Sequence, residues 1–165
     1  MENVYENTKY KTERTNKQLL TIKVDVDVIE KTYHLQENLI IDTLSDIYID
    51  SLITNGNIGV DSDESIYIMG VEEFNIKSVG GGTTTSNAMK YHNKIIIPNT
   101  HGAAGSNKTI THRANKFNFV SSVNPMNINQ LTLSLTNKEG ENIAGAAAEE
   151  TTPAAWVTFL IVSRD

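Results

Sequence analysis

Three histidines, His92, His101 and His112, fall close together in the chain. Imidazole nitrogens bind zinc and move protons, so such a group raises the question of a metal or acid–base site. Its spacing argues against one. No two of the three stand i, i+2 or i, i+4 apart, and no carboxylate lies among them to complete a ligand set. Exposed loop histidines are the expectation. Asp25 and Asp27 form a second candidate, because residues two apart on a strand share a face and paired carboxylates hold cations or pass protons. On a strand with one buried face, however, such a pair is first of all a solvated face. The acidic run Asp61-Ser62-Asp63-Glu64 lacks the rest of a twelve-residue calcium loop. The run Gly80-Gly81-Gly82-Thr83-Thr84-Thr85-Ser86 lacks the Gly-Lys-Ser/Thr ending and the following helix of a phosphate-binding loop. No Gly-x-Ser-x-Gly elbow, His-Glu-x-x-His pair or dinucleotide fingerprint occurs. No catalytic, cofactor-binding or metal-binding residue is assigned, no cofactor is called for, and the expectation is a protein that is not an enzyme.

Composition narrows the class further. A chain of 165 residues suits one domain with a full core. A net charge of −6 argues against nucleic acid as the main partner. With no cysteine, a disulfide scaffold, a thiol nucleophile and cysteine-ligated zinc are excluded, which fits folding in a reducing cytosol. No apolar run approaches the ~20 residues of a transmembrane helix. Residues 1–18 are polar and lack the apolar segment of a signal peptide.

The elements that would position any site are strands. Leu20, Ile22, Val24, Val26 and Val28 alternate with Thr21, Lys23, Asp25 and Asp27, which predicts a strand with one buried face. Short strands are expected over Lys31–Leu35 and Leu39–Ile41. A longer one is expected over Asp46–Thr54, with Ile47, Ile49 and Ile53 on one face and Tyr48 and Leu52 on the other. Ser65–Ile76 and Lys94–Ile97 continue the series, with Gly70 as a candidate bulge. The chain is organised around Phe117 to Ile143. Strand Lys116–Val120, a connection at Pro125, and Leu131, Leu133 and Leu135 alternating with Thr132, Ser134 and Thr136 lead to the turn Asn137-Lys138-Glu139-Gly140. From there Glu141–Ile143 is expected to return as a hairpin strand. Residues 144–155 are small and acidic, a single helical turn or a loop.

The last strand, Trp156–Ser163, is apolar on both faces. Trp156, Leu160 and Val162 lie on one side, and Val157, Phe159 and Ile161 on the other. One face fits a core; the other must be covered by a loop, an extra layer or a neighbouring subunit. Val157, Phe159 and Ile161 are therefore candidate interface residues. Tyr5, Tyr10, Lys11 and Arg14 join them on a polar N-terminal arm, residues 1–18, that orders on a neighbour with the tyrosines as anchors. The alternatives for the arm are a disordered tail, and for the strand a covering loop.

About eight strands separated by turn signals, with almost no helix, predict an all-β fold over residues 19–165: an antiparallel β-sandwich, a single jelly roll. The phrases Tyr33-His34-Leu35, Glu37-Asn38-Leu39-Ile40-Ile41-Asp42, Leu44 to Asp50, Glu73-Phe74-Asn75-Ile76, Asn93 to Asn99, Asn124-Pro125-Met126 and Leu133 to Gly140 resemble a group of small β-rich proteins of large DNA viruses of algae and protists and of their smaller relatives. The resemblance covers most of the chain from about Leu19 onward. It implies a minor capsid or penton-type jelly-roll subunit, located in the virion and made in the host cytoplasm. Its partners would be the major capsid protein and copies of itself, as a homo-oligomer. The rival reading is a lectin-like or receptor-binding jelly roll, with Gly80–Thr85 and Asn99–Asn107 as ligand loops.

Overall fold

The structure, a computed structural model, describes residues 17–55, 58, 66–99, 109–112, 119–143 and 153–164. The strands are β1 (Lys17–Val24), β2 (Glu30–Ile41), β3 (Ser45–Asn55), β4 (Ile66–Val71), β5 (Ile95–Pro98), β6 (Ile110–His112), β7 (Phe119–Val123), β8 (Met126–Thr136) and β9 (Ala154–Ser163). A 3-10 turn follows β4 at Glu72–Phe74, and a five-residue helix, α1, covers Thr85–Met89. Lys17 and Gln18, assigned by sequence to the arm, belong to β1.

Two antiparallel sheets form. Sheet A runs β1-β9-β3-β6, with β7 also on β3; sheet B runs β2-β8-β4-β5. β6 pairs with Leu52–Thr54 and β7 with Ser45–Tyr48, so the two occupy one strand position along β3. Counted that way there are eight strand positions in two four-stranded sheets, with the chain crossing repeatedly between them. This order is the jelly roll. β9, the last strand, lies in the middle of sheet A, and β8 lies in the interior of sheet B.

Three features of the local sequence decide where side chains point. First, β8 keeps its alternation: Leu131, Leu133 and Leu135 are buried in the core. Its turn closes as expected. Gly140 takes φ 84, its N–H donates to the Asn137 carbonyl at 3.1 Å, and the Asn137 side chain accepts the N–H groups of Glu139 and Glu141 at 2.9 Å each. Among the described residues no hairpin strand returns from this turn: Glu141–Ile143 form no strand, which corrects that expectation. β8 takes its partners from β2 and β4 instead, so both of its edges are already filled.

Second, β3 changes phase. Its register against β9 shifts between Ile49 and Ser51, leaving Asp50 as an extra residue. Before this bulge the core side holds Ile47 and Ile49; after it the core side holds Leu52, while Ile53 turns outward. Uninterrupted alternation would have put Ile53 inside and Leu52 outside. One inserted residue inverts every later side chain.

Third, the two segments expected at Lys31–Leu35 and Leu39–Ile41 are one strand, β2. Its register jumps between His34 and Leu39, so residues 35–38 bulge from the edge of sheet B. Gly70, by contrast, is not a bulge, because β4 keeps an unbroken register against β8 from Ile68 to Val71. The glycine makes room instead. A Cβ there would lie 2.7 Å from Cδ of Lys94 and 2.9 Å from Oγ of Ser134. Lys94 crosses β4 over this gap and donates to Ser134.

The core lies between the sheets. Phe74, from the 3-10 turn, meets Phe159 of β9 edge to face with ring centroids 5.0 Å apart. The turn also directs Glu73 toward β8, where its carboxylate accepts the Thr132 N–H at 2.9 and 3.0 Å. Beyond Val71, that carboxylate satisfies a backbone donor which β4 no longer reaches.

Candidate assembly surface

The sequence-derived chemical candidates come out as structural groups. Asp25 accepts a hydrogen bond from the Lys31 ammonium at 2.6 Å and from the Asp27 N–H at 3.3 Å. The Lys31 contact, and then the Asp27 N–H, hold the Asp25 carboxyl below its ordinary pKa. This pair and Tyr33, whose hydroxyl accepts the Asp25 N–H at 2.8 Å, lace the edge of sheet A to the edge of sheet B. His112 is not an exposed loop residue. It sits on β6, fully buried, with Nε2 2.8 Å from Thr54 Oγ1 and its ring edge-on to Tyr67. His92 is exposed, and the two side chains stand in unlike environments. Among the described residues no group of three or more His, Asp or Glu side chains could hold a metal ion. Gly81–Ser86 are exposed and run into α1, so a helix does follow the glycine run, but it is a single turn without the lysine of a phosphate loop. His101, the Asp61–Glu64 loop, residues 100–107 of the second ligand loop, Phe117 and residues 144–152 lie outside the described residues.

Of the candidate interface residues, Tyr5, Tyr10, Lys11 and Arg14 lie outside the described residues as well. Val157, Phe159 and Ile161 are placed, and the placement corrects the expectation. They are 0, 0 and 2% exposed and point into the sandwich core. A partner cannot touch them. The register of β9 with β1 and β3 decides this: Val157 pairs with Ile22 and Leu52, and Ile161 with Ile47, all core residues.

The need for a cover therefore passes to the opposite face of β9. Directly paired residues share a face. Leu19 of β1 pairs with Leu160 of β9, Leu160 with Tyr48 of β3, and Tyr48 with Phe119 of β7. These four form a straight apolar row across sheet A, on its outer side. Leu19 is 68% and Phe119 45% exposed, and Tyr48 holds Phe119 edge to face at 5.8 Å. A second row places Trp156 between Lys23 and Ile53. Between the two rows, the Thr21 and Thr158 hydroxyls meet at 3.1 Å. A third row, Lys17–Val162–Asp46–Ser122, ends in an ion pair of Asp46 with Arg164. Strands about 4.8 Å apart and a rise of about 3.3 Å per residue make this face roughly 20 Å on a side, an apolar row with Trp156 and Ile53 set among charged and hydroxyl side chains.

A groove of about 410 Å³ opens between the edges β1 and β2, lined by Leu20, Tyr33, Leu35 and Leu39 among others. A smaller hollow of about 250 Å³ lies around Lys94, Glu72, Asn75 and Asn93 on sheet B. The second also holds Ser134, whose hydroxyl meets the Lys94 ammonium.

Two local signals stood in the sequence: Leu160 shares a face of the last strand with Trp156 and Val162, and Leu19 is out of phase with the alternation that starts at Leu20. Their union into one row with Tyr48 and Phe119 exists only through strand register.

Comparison with known proteins adds little. No family model matches the chain, and no curated protein does. Among solved structures, the VP2 subviral particle of infectious bursal disease virus aligns with 90% of this chain and 33% of its own, at 11% identity and a TM-score of 0.32. The acid-stable capsid of Helicobacter pylori bacteriophage KHP30 aligns over 88% of this chain and 92% of its own, at 9% identity and a TM-score of 0.26. An aminopeptidase from a marine-sediment Thaumarchaeota archaeon aligns over 94% of this chain and 27% of its own, at 12% identity and a TM-score of 0.27. The chain thus spans about a third of the VP2 chain it aligns with. Likeness this low separates neither fold nor function, and the jelly-roll assignment stands on strand order.

Proposed function

We propose that this chain is a structural, non-catalytic subunit of a viral capsid, of the minor capsid or penton type, acting by protein–protein assembly. The observation that carries the reading is the apolar row Leu19–Leu160–Tyr48–Phe119 on the outer side of sheet A. A jelly roll that worked alone would keep that face polar, as antiparallel sheets facing water do. The resemblance of its strand phrases to small β-rich proteins of large DNA viruses points in the same direction. Its partners are the major capsid protein and copies of itself, its place is the virion, and its synthesis is in the host cytoplasm.

The test is composition of purified particles. Mass spectrometry of gradient-purified virions is expected to find the chain in stoichiometric amount, and the recombinant chain is expected to bind the major capsid protein in pull-down. Absence from particles together with no binding to the major capsid protein would overturn the reading.

A further inference from the structure

Resting on that assembly reading, we infer that the occupant of the outer face of sheet A is a second copy of this chain, stacked face to face about a two-fold axis that runs along β9. The charges on the face select this arrangement. Along β1 the face carries Lys17 and Lys23 and no acid, while β3 carries Asp46 and Asp50. Two sheets stacked face to face have two simple two-fold choices. An axis across the strands lays β1 on the partner's β1 and brings lysine near lysine. An axis along β9 lays β1 on the partner's β3, so Lys17 comes over the row that holds Asp46, and Lys23 over the row that holds Ile53. Like charges placed together cost, and opposite ones steer. Arg164 already engages Asp46, so the lysine meets a part-neutralised carboxylate, and the charge term here gives orientation more than strength.

The apolar row fits the same axis. Leu160 is the middle residue of Leu19–Leu160–Tyr48 and falls on the axis against its own copy. Leu19 then packs on the partner's Tyr48, and Tyr48 on the partner's Leu19. That reciprocity is what an isologous contact requires. Three strands of each copy overlap about this axis, roughly 14 by 20 Å, and would bury on the order of 600 Å² in total, below the size of standard specific interfaces. A weak, concentration-dependent dimer is the expectation.

The chain has no cysteine, so single cysteines can be placed without background. The experiment combines sedimentation equilibrium over a concentration series with crosslinking by a short bis-maleimide. Leu160→Cys is expected to crosslink to itself. Leu19→Cys alone is expected not to, whereas a mixture of Leu19→Cys and Tyr48→Cys chains is expected to crosslink between copies. Leu19→Asp is expected to weaken self-association at least tenfold with an unchanged thermal melt, since that side chain is already exposed. A monomer at every concentration overturns the inference. So does an oligomer in which Leu160→Cys fails to crosslink, or one that Leu19→Asp leaves intact. In each of these cases, recovery of the chain from purified virions keeps the capsid reading standing; absence from them together with no binding to the major capsid protein removes both.

Discussion

Asp46 and Arg164 are joined by two hydrogen bonds, 2.6 Å from Nη2 to Oδ1 and 2.8 Å from Nε to Oδ2, which tie the start of β3 to the residue that follows β9. Ser122 of β7 donates to the same carboxylate at 2.6 Å. The Arg164 contact, and then the Ser122 hydroxyl, hold the Asp46 carboxyl below its ordinary value of 3.8. Arg164 is half exposed, so water screens the pair and its contribution is small. Arg164→Met is expected to lower stability slightly in urea at neutral pH. Because the folded pKa is depressed, the contribution is fully present above 3.8 and is lost as pH falls through the lower folded value. The gap between wild type and variant should therefore close in acid. A gap that stays constant down to strong acid would show that the charge pair is not its source.

The two faces of β9 make opposite predictions. Phe159→Ala removes a fully buried ring packed on Phe74, and the expected loss is about 3–5 kcal/mol. Leu160→Ala, one residue on, lies on the partly exposed side and is expected to cost about 1 kcal/mol or less in the isolated chain. Denaturant midpoints of the two variants decide the matter. Equal losses would mean that the core face of β9 has been assigned wrongly.

Deletion of Asp50 tests the phase change in β3. Without the extra residue the pairing runs on unbroken, Ile49 opposite Phe159, Ser51 opposite Thr158 and Leu52 opposite Val157, so Leu52 stays in the core and Ile53 stays outside. The deletion is therefore expected to keep cooperative unfolding followed by circular dichroism, whereas deletion of Asp50 and Ser51 together inverts every later side chain and is expected to abolish it. A folded double deletion would mean that β3 slips freely.

Gly70→Ala places a methyl group where Lys94 crosses β4. The lysine tail is flexible and can move, so the expected cost is about 1–2 kcal/mol rather than unfolding. Lys94→Ala removes the obstruction and the bond to Ser134 together. The double variant should then lose less than the sum of the two single ones in a thermal or urea cycle. Strict additivity would argue that the methyl group meets something other than Lys94.

Much of the fold is written in local patterns. The leucines of β8 announce one core face by alternation, Pro125 marks the break before that strand, and Gly140 marks the turn after it. What was not legible depends on pairing. β9 is apolar on both sides, so only its register with Ile22 and Leu52 tells that Val157, Phe159 and Ile161 face inward. Ile53 and Leu52 were exchanged because a bulge leaves no fixed mark in the sequence; Asp50 is an ordinary polar residue until its strand is paired. His112 looked like a loop histidine because β6 is only three residues long, and its partners Thr54 and Tyr67 come from distant strands. The surface row shares that origin: four residues from four strands become neighbours only when the sheet is assembled.

The central position of β9 also sets an order of events at the ribosome. β1 and β3 are not neighbours; each leans on β9, which pairs Lys17 with Val162 on one side and Ser45 with Ser163 on the other. Until residues 154–163 have emerged, β1 has no strand beside it, and the inward side chains of β3 have no Phe159 to meet. The nascent chain therefore carries two unfinished strand edges and a row of bare isoleucines and leucines through most of its synthesis. Such long-range pairing is slow, and such edges invite aggregation. A chain stopped at residue 153 would be a half-built sheet in need of a chaperone, not a smaller version of this domain.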